Sequence, residues 1–143
     1  MSHVRQQIRD YVAGQLAGIA ELSNNVFPSR VHQIDKFPGA LVYSLDEASE
    51  VVASGYHMQR ELTVRVIGYV KINDTVDDEL DDLSSVIEAK LAADPQFGGL
   101  AKTSFLNSTE IELTGDGEED AGTVTMNYVV IYMTAATDPQ IAI

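Results

Sequence analysis

The sequence predicts an α+β fold in which two helices pack on one face of a mostly antiparallel sheet of four to five strands. Two stretches place apolar residues at helical spacing, and several others alternate apolar with polar residues between Pro and Gly punctuation. Because the helices are few and the strands follow one another, one sheet covered by helices is favoured. The 143 residues suit one domain. We expect it to span residues 1–134, with 135–143 as a C-terminal tail.

The first helix is predicted over residues 3–21. Val4, Ile8, Val12 and Leu16 recur at the three- and four-residue spacing that places side chains on one helical face. Ser2 precedes this pattern and is the expected N-cap.

The first strands follow a loop at residues 23–25. A short strand at 26–34 contains Pro28, which cannot donate a ladder hydrogen bond and therefore restricts the strand to a sheet edge. Residues 40–45 form a second strand with a buried composition. Residues 46–58 carry small and acidic side chains without periodicity and are predicted to form a long mobile loop. The alternating stretch after it, extending through Val70, is the predicted central strand.

The second helix begins near Thr75, which with Asp78 matches a capping box. Its apolar face is predicted to consist of Val76, Leu80, Leu83, Ile87 and Leu91. Asp94-Pro95 ends the helix, because a proline disfavours helical backbone in the residue before it.

The last two strands are predicted at residues 103–114 and 123–134, joined as a β-hairpin by an acidic, glycine-containing segment. The acids of this segment are contiguous, whereas a calcium loop needs oxygen ligands at alternating positions and a closing glutamate. We interpret the segment as a solvated or interface-facing tip.

Several function classes are excluded or disfavoured by composition. The net charge is −13 with nine scattered basic residues, which disfavours binding to nucleic acid or to anionic lipid. There is no cysteine, so thiolate chemistry and disulfides are excluded. No signal peptide and no apolar run of about 18 residues is evident, and we expect the chain to fold in a cytoplasm without entering a membrane. Neither the histidines nor the serines are spaced as metal ligands or as a catalytic triad, so no catalytic residue, cofactor or metal site is predicted.

Two long segments without a burial pattern, 46–58 and 114–122, are the predicted contact surfaces, because such loops in a small domain are often ordered by a partner. Their apolar residues supply anchors and their acids supply charge complementarity. The expected interface residues are Asp46, Glu47, Glu50, Val51, Val52, Tyr56 and Met58 in the first segment and Asp116, Glu118, Glu119 and Asp120 in the second.

The chain resembles the tail terminator proteins of long-tailed, lambda-like bacteriophages. The resemblance covers residues 3–134 and lies in the order and spacing of "VRQQIRDYVAGQL", "VFPSRVHQIDKFPGALVYSLDE", "ELTVRVIGYVK" followed by "DDELDDLSSVIEAKL", and "GTVTMNYVVIYMT". Its most specific parts are residues 37–43 and the junction of strand and acidic helix at 61–83. The first loop, the acidic tip and the tail after Thr134 match poorly.

The resemblance implies a structural, non-enzymatic virion protein. Such a protein forms a homohexameric ring on the head-proximal end of the tail tube, stops tube polymerisation and provides the surface for head–tail joining. The implied partners are copies of itself, the tail tube protein and a head–tail connector protein, in the host cytoplasm during assembly and then in the virion tail. No cofactor is implied, although a divalent cation would assist assembly by screening charge. The alternatives are another neck or head–tail completion protein, or a small acidic hydrolase or ligand-binding domain.

Overall fold

Alternation of apolar side chains along the chain builds a six-stranded mixed sheet that two α-helices cover, which confirms the α+β class. The computed structural model describes residues 2–52, 56–114 and 121–143. The helices are α1 (Val4–Ala17) and α2 (Val76–Ala92), and a 3-10 turn lies at Phe97–Gly99. The strands are β1 (Val26–Phe27), β2 (Gly39–Val52), β3 (His57–Lys71), β4 (Thr103–Thr114), β5 (Ala121–Ala135) and β6 (Asp138–Ala142).

The strand order is β1-β2-β3-β5-β4, and β6 also pairs with β5. β1 runs parallel to β2, while the other pairings in the described chain are antiparallel. The strand predicted at 26–34 lies at the sheet edge as expected, but it ends at Phe27 and so does not contain Pro28. The expected central position of β3 is confirmed. The sheet has more strands than the four to five expected, because residues 138–142 of the predicted tail form β6.

The core lies between the helices and alternate residues of β2, β3 and β5. In α2 the predicted apolar face is confirmed residue by residue, since all five of its members are buried. The predicted capping box is wrong: Thr75 is the N-cap residue but its side chain makes no capping bond and instead donates to Asn73 Oδ1 at 2.9 Å.

α1 is shorter than predicted and ends at Ala17, with Gly18 as C-cap. Its N-cap is His3 rather than Ser2, because the His3 imidazole accepts a hydrogen bond from the Arg5 backbone N–H at 3.0 Å. The helix buries the expected apolar residues, and Ile19 continues the buried set beyond the helix end.

The prediction of a long loop over 46–58 is wrong. β2 extends to Val52 and β3 begins at His57, and the two strands pair continuously from Asp46↔Thr63 to Val52↔His57. The side chains at 48–51 are exposed. Because most side chains of β2 are exposed here, burial imposes no alternation on its sequence, and the strand signal is lost.

Candidate functional site

The part of the β2–β3 hairpin nearest its turn, residues 45–52 and 56–61, is called the arm. Three of its large apolar side chains are exposed: Leu45, Val51 at 63% and Tyr56 at 75%. The turn of the arm is tied to the rest of the sheet, since the Ala136 N–H donates to the Tyr56 carbonyl at 2.7 Å. The arm is therefore held in place by backbone pairing while it presents apolar side chains to the surroundings.

A polar cluster fixes the base of the arm. It consists of Arg5, Glu47, Arg60 and Tyr132 and is called the Glu47 hub. Glu47 Oε2 accepts from Arg5 at 2.8 Å and from Arg60 at 3.2 Å, and Glu47 Oε1 accepts from the Tyr132 hydroxyl. The Glu47 side chain is only 8% exposed. Since the four residues come from α1, β2, β3 and β5, the hub joins the arm to the helix and to the central sheet.

Electrostatics in the hub follow from this burial. Burial raises the pKa of Tyr132, and its hydrogen bond to Glu47 raises it further. Burial and the neighbouring arginines lower the pKa of His3 at the start of α1, whereas Glu47 acts in the opposite direction. Tyr132 therefore stays a neutral donor, and His3 stays an uncharged acceptor at neutral pH.

The structure places the predicted interface residues of the first segment in three different settings. Asp46, Glu50, Val51 and Tyr56 are exposed on the arm, Val52 and Met58 are half-buried on it, and Glu47 is the centre of the hub. Glu47 thus has its hydrogen-bonding capacity occupied within its own chain. The carboxylate that sequence reasoning assigned to a partner instead stabilises the fold.

The predicted residues of the second segment, Asp116, Glu118, Glu119 and Asp120, lie outside the described residues. The hairpin that carries this segment is confirmed, since β4 and β5 pair antiparallel up to Thr114↔Ala121.

That β4 is an open edge of the sheet with exposed apolar side chains was not predicted from the sequence. Within the described residues, β4 pairs with β5 and with no other strand, so its outer backbone groups face away from the sheet. Phe105, Ile111 and Leu113 on this strand are exposed large apolar residues. Of the features that commonly protect an edge from pairing with another chain, the strand lacks lysine and proline but has a bulge between Leu106 and Ser108 and two exposed glutamates, Glu110 and Glu112. The alternation at 103–114 predicted the strand, but nothing in the sequence indicated that it would be last in the sheet.

The margin of the sheet at β2 is also largely open. β1 pairs only with Ala40 and Leu41, and beyond these residues no described strand pairs with the outer side of β2. The arm and β4 therefore lie at opposite margins of one sheet.

A cleft of about 540 Å³ lies beside α2. Its lining residues are Glu21, Phe37, Pro38, Val70, Lys71, Asn73, Glu79, Asp82, Leu83, Ser85 and Val86. Among the described residues no group of three or more His, Asp or Glu side chains is arranged to hold a metal ion. Neither helix has the length and apolar character needed to cross a membrane.

No protein-family model and no curated protein sequence matches the chain.

Proposed function

We propose that this protein is a phage tail terminator: a non-enzymatic subunit that forms a homohexameric ring at the head-proximal end of the tail tube, stops tube polymerisation and provides the surface for head–tail joining. The observation that supports this proposal best is the presence of two unlike contact surfaces at opposite margins of one sheet. One is the arm, with exposed Val51 and Tyr56, and the other is the outer side of β4, with exposed Phe105 and Ile111.

Two unlike surfaces suit head-to-tail association. A contact between one surface of a subunit and the other surface of its neighbour repeats until the ring closes, whereas a self-complementary patch would stop at a dimer. An open strand such as β4 can be extended by a strand of the neighbour through backbone hydrogen bonds, and exposed apolar side chains can add specificity.

In the proposed ring both helices lie on one face of the sheet. Their buried residues share one core with alternate residues of β2, β3 and β5, so the helices stabilise the subunit. The Glu47 hub also stabilises the subunit, because it fixes the position of the base of the arm relative to α1 and the central sheet.

The charge of the subunit opposes assembly. Each copy carries a net charge of −13, and six copies in a ring repel one another unless salt or divalent cations screen them. Assembly is therefore expected to be favoured by magnesium ions, which would act by screening this charge.

The terminator role is tested by deleting the gene from its phage or prophage and imaging the particles. Over-long tails without heads are expected, and wild-type protein supplied in trans should restore tails of normal length. Ile111→Lys, which adds a charge to the outer side of β4, should fail to restore them. Val31→Lys is the matched control, because Val31 is 84% exposed and lies outside both the arm and β4.

Two outcomes count against the proposal. Tails of normal length beside unjoined, filled heads would assign the protein to another neck or head–tail completion role. Rescue by Ile111→Lys equal to rescue by Val31→Lys would show that the β4 margin is not used in the ring.

A further inference from the structure

The cleft beside α2 combines an apolar floor with an acidic rim. Val70 and Leu83 are buried at its floor, and Phe37, Pro38 and Val86 contribute further apolar surface. The volume of about 540 Å³ lies within the range of roughly 300–1,000 Å³ that is usual for ligand sites. The cleft therefore has room above its apolar floor for a large apolar side chain.

The rim carries three carboxylates, from Glu21, Glu79 and Asp82. Glu79 and Asp82 are three residues apart on α2 and so lie on the same side of the helix. In the part of the chain that the structure describes, none of the three forms a salt bridge or a hydrogen bond through its side chain. Lys71 is the one basic residue that lines the cleft, which leaves an excess of negative charge around an apolar floor.

These features select the occupant by charge. Because this chain carries a net charge of −13 with only nine basic residues, a basic partner protein matches the acidic rim better than a second copy does. An anionic or neutral ligand would leave the rim carboxylates without partners. A segment with an aromatic or aliphatic residue between two basic residues matches both the floor and the rim.

We propose that this cleft is a docking site for a partner protein, and that it binds an exposed segment in which an apolar side chain is flanked by lysine or arginine. The apolar side chain fills the space above Val70 and Leu83, and the flanking cations pair with Glu79 and Asp82. The proposal goes beyond the ring and does not depend on it, because every residue of the cleft belongs to one subunit.

The test uses the full-length ¹⁵N-labelled protein and end-blocked pentapeptides, followed by NMR. The probe has the sequence Gly-Lys-Phe-Arg-Gly. One control peptide replaces phenylalanine with serine, and another replaces both basic residues with glutamate. Saturable shifts of the Val70, Leu83 and Val86 amides are expected with the probe and not with either control.

Matched variants distinguish binding at the cleft from diffuse attraction to the negatively charged surface. Glu79→Gln with Asp82→Asn should weaken binding of the probe about tenfold, as expected for the loss of two exposed ion pairs. Asp78→Asn with Asp81→Asn removes the same charge from the same helix outside the cleft and should change affinity less than twofold. All four residues are exposed, so both variants should fold.

Three results would overturn the proposal: no shift at the cleft amides, equal binding of the serine peptide, or equal weakening by the two variant pairs. The last of these would indicate diffuse attraction to the acidic surface. Because the readout is binding to the subunit, failure here leaves the proposed ring untouched, and failure of ring assembly leaves this site untouched.

Discussion

Two tyrosines on β5 provide a matched test of the Glu47 hub. Tyr128 and Tyr132 are four residues apart on β5, so their side chains lie on the same face of the sheet, and both are buried. The Tyr132 hydroxyl donates to the Glu47 carboxylate, whereas the Tyr128 hydroxyl is buried without a hydrogen-bond partner among the described residues. Substitution by phenylalanine removes one oxygen atom from each and preserves the shape of the ring.

The expected effects differ in sign. A hydrogen bond to a charged group contributes about 1.5–3 kcal/mol, so Tyr132→Phe should lower the free energy of unfolding by about 2 kcal/mol. Removing an unpaired buried hydroxyl relieves a desolvation cost, so Tyr128→Phe should change stability by about 0 to 1 kcal/mol in the stabilising direction.

Urea unfolding, monitored by circular dichroism and analysed with a common slope, measures both differences. Thermal unfolding should show a decrease of about 6–8 °C for Tyr132→Phe, since each kcal/mol shifts the Tm of a chain of this size by about 3–4 °C. If the stability of Tyr132→Phe stays within about 0.5 kcal/mol of wild type, or if both variants are equally destabilised, the hydrogen bond from Tyr132 to Glu47 does not hold the arm in place.

Three further predictions concern the arm, the start of α1 and the packing of α2. Glu47→Ala should lower the free energy of unfolding in urea by about 2–4 kcal/mol, because two arginines and a tyrosine lose their partner. The control is Glu50→Ala, which is exposed on the same strand and should cost less than about 0.5 kcal/mol. Similar values for the two variants would contradict the role of Glu47 as the centre of the hub. Because the pKa of His3 is lowered from 6.5, its contribution to stability is present above pH 6.5 and is lost as pH falls through the folded-state pKa. His3→Asn keeps a capping acceptor that does not titrate, so the variant should gain stability relative to wild type as the pH falls below 6.5, and a stability difference that stays constant on this acidification would refute this reading. Gly122→Ala places a Cβ 2.7 Å from a valine methyl of α2 and should cost about 1–3 kcal/mol in the same unfolding assay, while an unchanged midpoint would mean that α2 does not pack so closely on β5.

Much of the fold was predictable because burial leaves a periodic trace in the sequence. The apolar face of α2, the central position of β3 and the β4–β5 hairpin all follow from spacing, and each is confirmed. α2 and β3 have one face in water and one in the core, which is the condition that produces a readable pattern. β4 alternates in sequence although its described side chains are exposed or half-buried.

The arm was not predictable for the opposite reason. Residues 46–52 pair with β3 along their whole length, yet most of their side chains are exposed, and backbone pairing alone does not select side chains. β6 is short and half-exposed, so its sequence carries no burial pattern that would distinguish it from a tail.

The role of Glu47 was beyond sequence reasoning because its partners are distant in the chain. Arg5 is 42 residues away and Tyr132 is 85 residues away, and only the register of the sheet brings them together. A glutamate among exposed acids gives no local sign that it is buried. The cleft likewise combines residues from before β2, the end of β3 and α2.

The mass of the assembled protein tests the central proposal most directly. Native mass spectrometry and sedimentation should be performed on concentrated wild-type protein, with and without magnesium ions. With a subunit of 15.6 kDa, the proposal predicts a discrete six-copy species of about 94 kDa that increases with concentration and with magnesium. A monomer at every concentration and ionic strength, or a dimer that does not grow further, would contradict it.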